Sequence, residues 1–305
     1  MKKILILKSD KDDFERYFIK KMNNTEIDCF PIYKKRNKFS YYLSVLWIQY
    51  FHLPMENIWY GRWKKKIHDY DLIIVFDRIL SWKIINYLRS KNERCKIIAW
   101  YWNAVNTTIP IPDFKNDKNF EIWSFNEADC KKYNLKFNNQ FYFSDLYNKA
   151  LQDKDTKIAY FIGKDKGRYQ TIKKIKDVLE DYGLICNIYI VKDETSVYDS
   201  ELYINHLVDY NEILNSIDKS DLIIDIPQES QTGITLRILE GLFRGKKIIT
   251  TNKSLDKDLL NLPQIFLWDN NYDELKNFLN KEIEVNLDID ERIQKYKYEN
   301  WVKRF

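Results

Sequence analysis

Two rhythms of apolar and polar positions alternate along the chain. Short continuous apolar runs, KILIL (3–7), DLIIVFD (71–77), CKIIAWYW (95–102), EIWSF (121–125) and QFYF (140–143), have the length and composition of buried strands. Between them, residues 11–22 put Phe14, Phe18, Ile19 and Met22 on one helical face, with Asp10 or Asp12 as N-cap. Residues 79–88 read as a second helix. The pattern restarts near residue 157. KIAYFIG (157–163), ICNIYIV (185–191), DLIIDI (221–226), KKIITT (246–251) and IFLWD (265–269) read as extended, and 168–182, 210–218, 234–244 and 271–280 as helical.

Continuous apolar strands separated by helices predict parallel sheets covered on both faces. The expected fold is therefore α/β, with two Rossmann-like domains facing a cleft. Residues 1–150 form the first domain and 151–285 the second. A helix over 286–305 crosses back to the first domain. The polar run QDKDTK marks the linker, with the boundary near 148–156. A length of 305 residues agrees, at roughly 150 per domain.

Charge changes the picture of the first half. Residues 1–150 carry 27 Lys and Arg against 17 Asp and Glu, the remainder 23 against 28. Within 33–66 eight basic residues face one acid, Glu56, among Tyr41, Tyr42, Trp47, Tyr50, Phe51, Trp59, Tyr60 and Trp63. Such a segment reads either as a helix with a solvated basic edge or as a surface that leans on anionic lipid. No RNP, KH or zinc-finger signature points to nucleic acid.

No run approaches the ~20 apolar residues of a membrane span. The longest, 41–53, contains Gln49 and His52. At the start of the chain, charge follows a short apolar run too soon for a signal peptide. The expectation is a cytoplasmic protein, at most peripheral on the inner face of the membrane. Cys29, Cys95, Cys130 and Cys186 are scattered, as are His52, His68 and His206, so free thiols and no metal site are expected.

Two loops after strands carry candidate chemistry. In FIGKDKGR (161–168), Gly163 and Gly167 permit tight turns, while Lys166 and Arg168 bring positive charge to a helix N-terminus, a place suited to a diphosphate. In QTGITLRILE (231–240), the Gly233–Ile234–Thr235 turn opens a helix. Arg237 stands in its first turn and Glu240 one turn further, where a carboxylate can accept the hydroxyls of a ribose. Neither a P-loop nor a GxGxxG follows any strand.

The run SDLIIDIPQESQTGITLRILEGLFRGKKIITTN resembles the donor-binding core of bacterial GT-B glycosyltransferases that build lipopolysaccharide, capsule and related surface glycans, and FIGKDKGR resembles their basic loop. The resemblance covers about 157–270 and extends to 1–150 as architecture alone. It implies metal-independent transfer of a sugar from a nucleotide-sugar donor to a glycan or lipid-linked acceptor, without a cofactor. Gly163, Lys166, Arg168, Gly233, Ile234, Thr235 and Arg237 would then hold the diphosphate and Glu240 the ribose. If transfer inverts, Asp10 and Asp77, each at a strand end, are the candidates for the base. The alternatives are a two-Rossmann nucleotide-sugar epimerase and a non-catalytic nucleotide-sugar or glycan-binding protein.

Overall fold

The computed structural model describes residues 2–35, 37–50, 56–105, 119–144, 157–228, 233–269, 271–283 and 290–305. The chain divides into two compact units, Met1–Asn138 and Asn139–Phe305. The stretch 148–156, where the linker was expected, lies outside the described residues, as do 229–232 of the second candidate loop.

Unit 1 is built from β1 (Ile4–Lys8), α1 (Asp13–Met22), β2 (Ile27–Pro31), α2 (Lys38–Val45), β3 (Leu72–Phe76), α3 (Trp82–Lys91), β4 (Lys96–Tyr101), β5 (Phe120–Ser124), α4 (Glu127–Tyr133) and β6 (Lys136–Phe137). Its strands form one parallel sheet in the order β2-β1-β3-β4-β5-β6. Every residue of β1 and β3 is buried, and apart from Lys8 at the end of β1 all are apolar, which is why ILIL and LIIVF read as unbroken apolar runs. Of the two candidate caps, Asp12 starts α1: its carboxylate accepts the Glu15 amide at 2.9 Å. One core face gathers Tyr60, Trp63, Ile67 and Tyr70 against Ile84, Ile85 and Leu88 of α3. Trp63 and Tyr60, grouped by sequence with a basic aromatic surface, are thus core residues, and the Trp63 indole donates to the Ile32 carbonyl at 2.9 Å.

Unit 2 contains β7 (Ile158–Lys164), α5 (Tyr169–Asp181), β8 (Ile185–Val191), β9 (Tyr203–Ile204), α6 (Tyr210–Lys219), β10 (Leu222–Asp225), α7 (Leu236–Leu242), β11 (Lys247–Thr250), α8 (Lys257–Leu260), β12 (Ile265–Leu267), α9 (Tyr272–Asn280), α10 (Glu291–Gln294) and α11 (Tyr298–Val302). Its parallel sheet runs β12-β11-β10-β7-β8-β9. Two parallel α/β sheets, one per unit, make both units Rossmann-like.

The run QFYF, read as a strand of the first set, joins neither sheet. It lies in unit 2, where Tyr142 bridges Lys297, and Phe141 packs on Trp301 with ring centroids 4.2 Å apart. An apolar run of four residues buries equally well under a helix as in a sheet, and here α11 covers it. No helix among the described residues is long and apolar enough to cross a membrane.

Candidate functional site

In open parallel sheets, ligands bind beyond the carboxyl ends of strands where successive connections leave in opposite directions. The sheet orders place that switch between β1 and β3 in unit 1 and between β7 and β10 in unit 2.

The unit 1 switch point opens into a cavity of about 950 Å³. Its walls are the loop after β1 (Ser9, Asp10, Lys11), the segment after β2 (Ile32–Lys35), the inner side of α2 (Ser44, Val45) and the stretch from Arg78 to Lys83 after β3. Five cations line it, Lys11, Lys34, Lys35, Arg78 and Lys83, against the acids Asp10 and Glu56. Glu56 is buried and accepts the Tyr33 hydroxyl at 2.7 Å, with the Lys83 ammonium 4.0 Å away. Arg78 is anchored at 3.0 Å from Asp12 and 3.3 Å from Glu15. Glu15 also pairs at 2.7 Å with Lys8, a fully buried lysine set over the rings of Phe76 and Trp102. Burial pulls the Lys8 ammonium below its ordinary range, while Glu15 opposes the shift. Lys11 and Lys35 make no ion pair among the described residues, so their charge faces the cavity uncompensated.

Asp10 and Asp77 have different surroundings. Asp10 is half-buried on the cavity wall. Asp77 is buried and accepts the Asn103 amide (2.8 Å), the Asn103 side chain (3.0 Å) and the Arg78 amide (2.8 Å). Its carboxylate therefore ties the turn after β3 to the turn after β4. Burial raises its pKa, and those hydrogen bonds oppose the rise.

In unit 2 the expected cations already have partners. The Arg168 guanidinium donates to the carbonyls of Asp165 (3.0 Å), Lys164 and Ile226, lacing the loop after β7 to the end of β10. Lys166, at φ 50°, gives its amide to Asp193 (3.1 Å) and its ammonium to Glu194 (3.2 Å). Gly167, at φ 74°, donates its amide to Thr195 at 2.8 Å, and Gly163 packs close to the Arg168 guanidinium. Gly233 stands at φ 82° with its carbonyl bound by Asn252 at 2.7 Å, and Ile234 is buried. Thr235 caps α7 through the Ile238 amide (3.2 Å) and donates to Asp225 at 2.7 Å.

Arg237 and Glu240 pair at 2.6 Å, and Glu240, 2% exposed, takes the Tyr210 hydroxyl at 2.6 Å. Tyr210 in turn contacts the Tyr142 hydroxyl at 3.1 Å. Asp225, which the sequence reading passed over at the end of DLIIDI, is the centre of this edge. It is buried, and takes the hydroxyls of Thr235 and Thr250, both at 2.7 Å. Burial raises its pKa, offset by those two hydroxyls and by Arg237 and Arg168.

No family profile and no curated protein sequence matches the chain. Among solved structures it is similar to a D-isomer specific 2-hydroxyacid dehydrogenase family protein from Aeromonas salmonicida subsp. salmonicida A449. The identity is 8%, the likeness covers 87% of this chain and 79% of that one, and the TM-score is 0.22. It is also similar to the 2-hydroxyacid dehydrogenase from Ketogulonicigenium vulgare Y25, at 8% identity, covering 89% and 83%, with a TM-score of 0.21.

Neither neighbour bears out the expectation drawn from SDLIIDIPQESQTGITLRILEGLFRGKKIITTN. They are dehydrogenases by title, not GT-B glycosyltransferases, and the assignment to glycosyl transfer and surface-polysaccharide synthesis is withdrawn. The local geometry gives a physical reason for the misreading. Arg168, Arg237 and Glu240, which together suggested a donor cradle, are bound to groups of the protein itself. Scores at this level bring no dehydrogenase chemistry to the chain either, and it has no GxGxxG after a strand.

Proposed function

We propose that the protein binds a phosphate-bearing small molecule of the nucleotide class at the switch point of unit 1. The observation that carries this reading is the cavity beyond β1 and β3, lined by Lys11, Lys34, Lys35, Arg78 and Lys83. Its volume falls at the upper end of the range for small-molecule sites, ~300–1,000 Å³. The ammonium groups of Lys11, Lys34 and Lys35, which make no ion pair among the described residues, favour an anion, whereas the Arg78 guanidinium is already held by Asp12 and Glu15. Tyr33 and Trp82 add ring surface for a base, and Ile32, Ile79 and Leu80 an apolar wall. The unit 2 edge is the weaker candidate, because its cations are held by carbonyls and carboxylates.

A thermal-shift series with nucleoside, nucleoside monophosphate, nucleoside diphosphate and nucleotide-sugar tests the reading. Ligand at 100 times its dissociation constant stabilises by about 2.7 kcal/mol. The expected order follows phosphate charge, with the free nucleoside weakest. No shift with any phosphate-bearing member, or equal shifts for nucleoside and diphosphate, rejects the proposal.

A further inference from the structure

We infer that the outer face of α2 rests on an anionic membrane surface. This helix is inverted relative to ordinary amphipathic packing, in which the apolar stripe faces the core. Ser44 is fully buried and Val45 turns toward the unit 1 cavity. Phe39 (71% exposed), Leu43 (43%), Leu46 (42%) and Tyr50 (73%) stand in solvent. At 100° per residue, positions 39, 43, 46 and 50 fall within one narrow stripe, continued by the wider π-helical turn Leu46–Tyr50. Tyr42, also exposed, borders it. A contiguous apolar stripe open to solvent marks an interaction surface.

Charge selects the occupant. Between Asp28 and Glu56 the chain has no acidic residue, and it carries Lys34, Lys35, Arg36 and Lys38 there. Lys34, Lys35 and Lys38 are exposed immediately before and at the start of the helix. An apolar stripe with lysines at its flank matches the boundary between acyl chains and anionic headgroups. Lys34 and Lys35 also line the cavity, so Lys38, which does not, reads the membrane contact alone, and Ser44 and Val45 on the opposite side of α2 place the cavity behind the docked helix.

Flotation with phosphatidylcholine vesicles, with and without phosphatidylglycerol, tests this on the full chain. Binding is expected to the anionic vesicles and to fall as salt rises. Leu43→Ser with Leu46→Ser should abolish flotation while lowering the thermal midpoint only modestly, because both side chains are already more than two-fifths exposed. Lys38→Glu, outside the cavity wall, should weaken partitioning by more than the roughly fivefold worth of one lysine near an anionic surface.

Absence of flotation, equal flotation on neutral vesicles, or undiminished flotation of the double variant overturns the inference. So does a parent protein that sediments as a dimer and becomes monomeric on Leu43→Ser with Leu46→Ser, because the face then belongs to a second copy. Nucleotide stabilisation measured without vesicles reads the cavity separately, so either proposal can fail alone.

Discussion

Arg237 and Glu240 neutralise each other across one turn of α7, with Nη1 2.6 Å from Oε2. The second carboxylate oxygen takes the Tyr210 hydroxyl, and Tyr210 reaches Tyr142. A residue from the start of unit 2, one from α6 and two from α7 are thereby joined in one buried polar chain.

Removal of one member of this pair should be costly. Arg237→Ala leaves the Glu240 carboxylate buried beside a single hydroxyl, and a broken buried ion pair costs about 3 kcal/mol or more. Glu240→Gln keeps an acceptor for Tyr210, and combined with Arg237→Ala it should recover part of the loss. Urea unfolding of the two single variants and the double variant reads the cycle. A loss for Arg237→Ala within the ~0.5 kcal/mol of an ordinary surface change would contradict the pairing.

Gly241 lets α7 approach the sheet. A Cβ there would lie 2.9 Å from Cγ1 and 3.0 Å from Cδ1 of Ile248 on β11. The Gly241→Ala variant should therefore lose ~1–3 kcal/mol by overpacking, despite the better helix propensity of alanine. The companion variant Gly241→Ala with Ile248→Val should regain some of that loss, since it removes Cδ1. Equal or greater stability of the single variant, measured by chemical denaturation, would exclude close packing at this position.

Lys247 makes stability pH-dependent. Burial and the nearby Lys157 push its ammonium down to about 8, while it donates to the Phe278 and Leu279 carbonyls at 2.8 Å. An unfolded lysine titrates near ~10.4. Between about 8 and about 10.4 the unfolded chain binds more protons than the native one, so this group makes stability rise with pH through that window. Below it the native state carries the full penalty of the charged form. Lys247→Met should flatten the rise, and unfolding midpoints collected across the window compare the slopes. An unchanged slope would show that Lys247 keeps an ordinary affinity for its proton.

The sequence makes the strand cores legible because buried parallel strands need unbroken apolar runs, as in ILIL of β1, LIIVF of β3 and LII of β10. It is less informative where a short element is fixed by its neighbours. The two-residue strands β6 and β9 and the strand β2 carry little periodicity of their own. The tail, read as one helix over 286–305, holds two separate helices, α10 and α11, within its described residues 290–305.

Site chemistry was legible as residue types but not as pairings. FIGKDKGR shows its cations plainly, yet whether Arg168 meets a ligand or three carbonyls depends on how β10 ends beside it. The cavity of unit 1 escaped notice for a related reason. Its lysines come from three separate segments, and only the sheet order brings Lys11, Lys35 and Lys83 to one edge.

That edge supports a prediction about charge. Lys11 and Lys35 line the cavity from the loops after the neighbouring strands β1 and β2, and neither has a carboxylate partner among the described residues. A lysine replaced by glutamate changes an attraction to a repulsion, each ~1 kcal/mol for unit charges 4 Å apart in water. Lys35→Glu or Lys11→Glu should therefore weaken a nucleoside diphosphate by about 2 kcal/mol at low salt, roughly thirtyfold. The uncharged nucleoside, which meets only the rings and the apolar wall, should bind the variants and the parent alike. Raising the ionic strength to 1 M shortens the screening length to about 3 Å and should shrink the difference between variant and parent. Calorimetric titration at two salt concentrations separates these effects. Parent-like affinity for the diphosphate in both variants at low salt would place the ligand elsewhere.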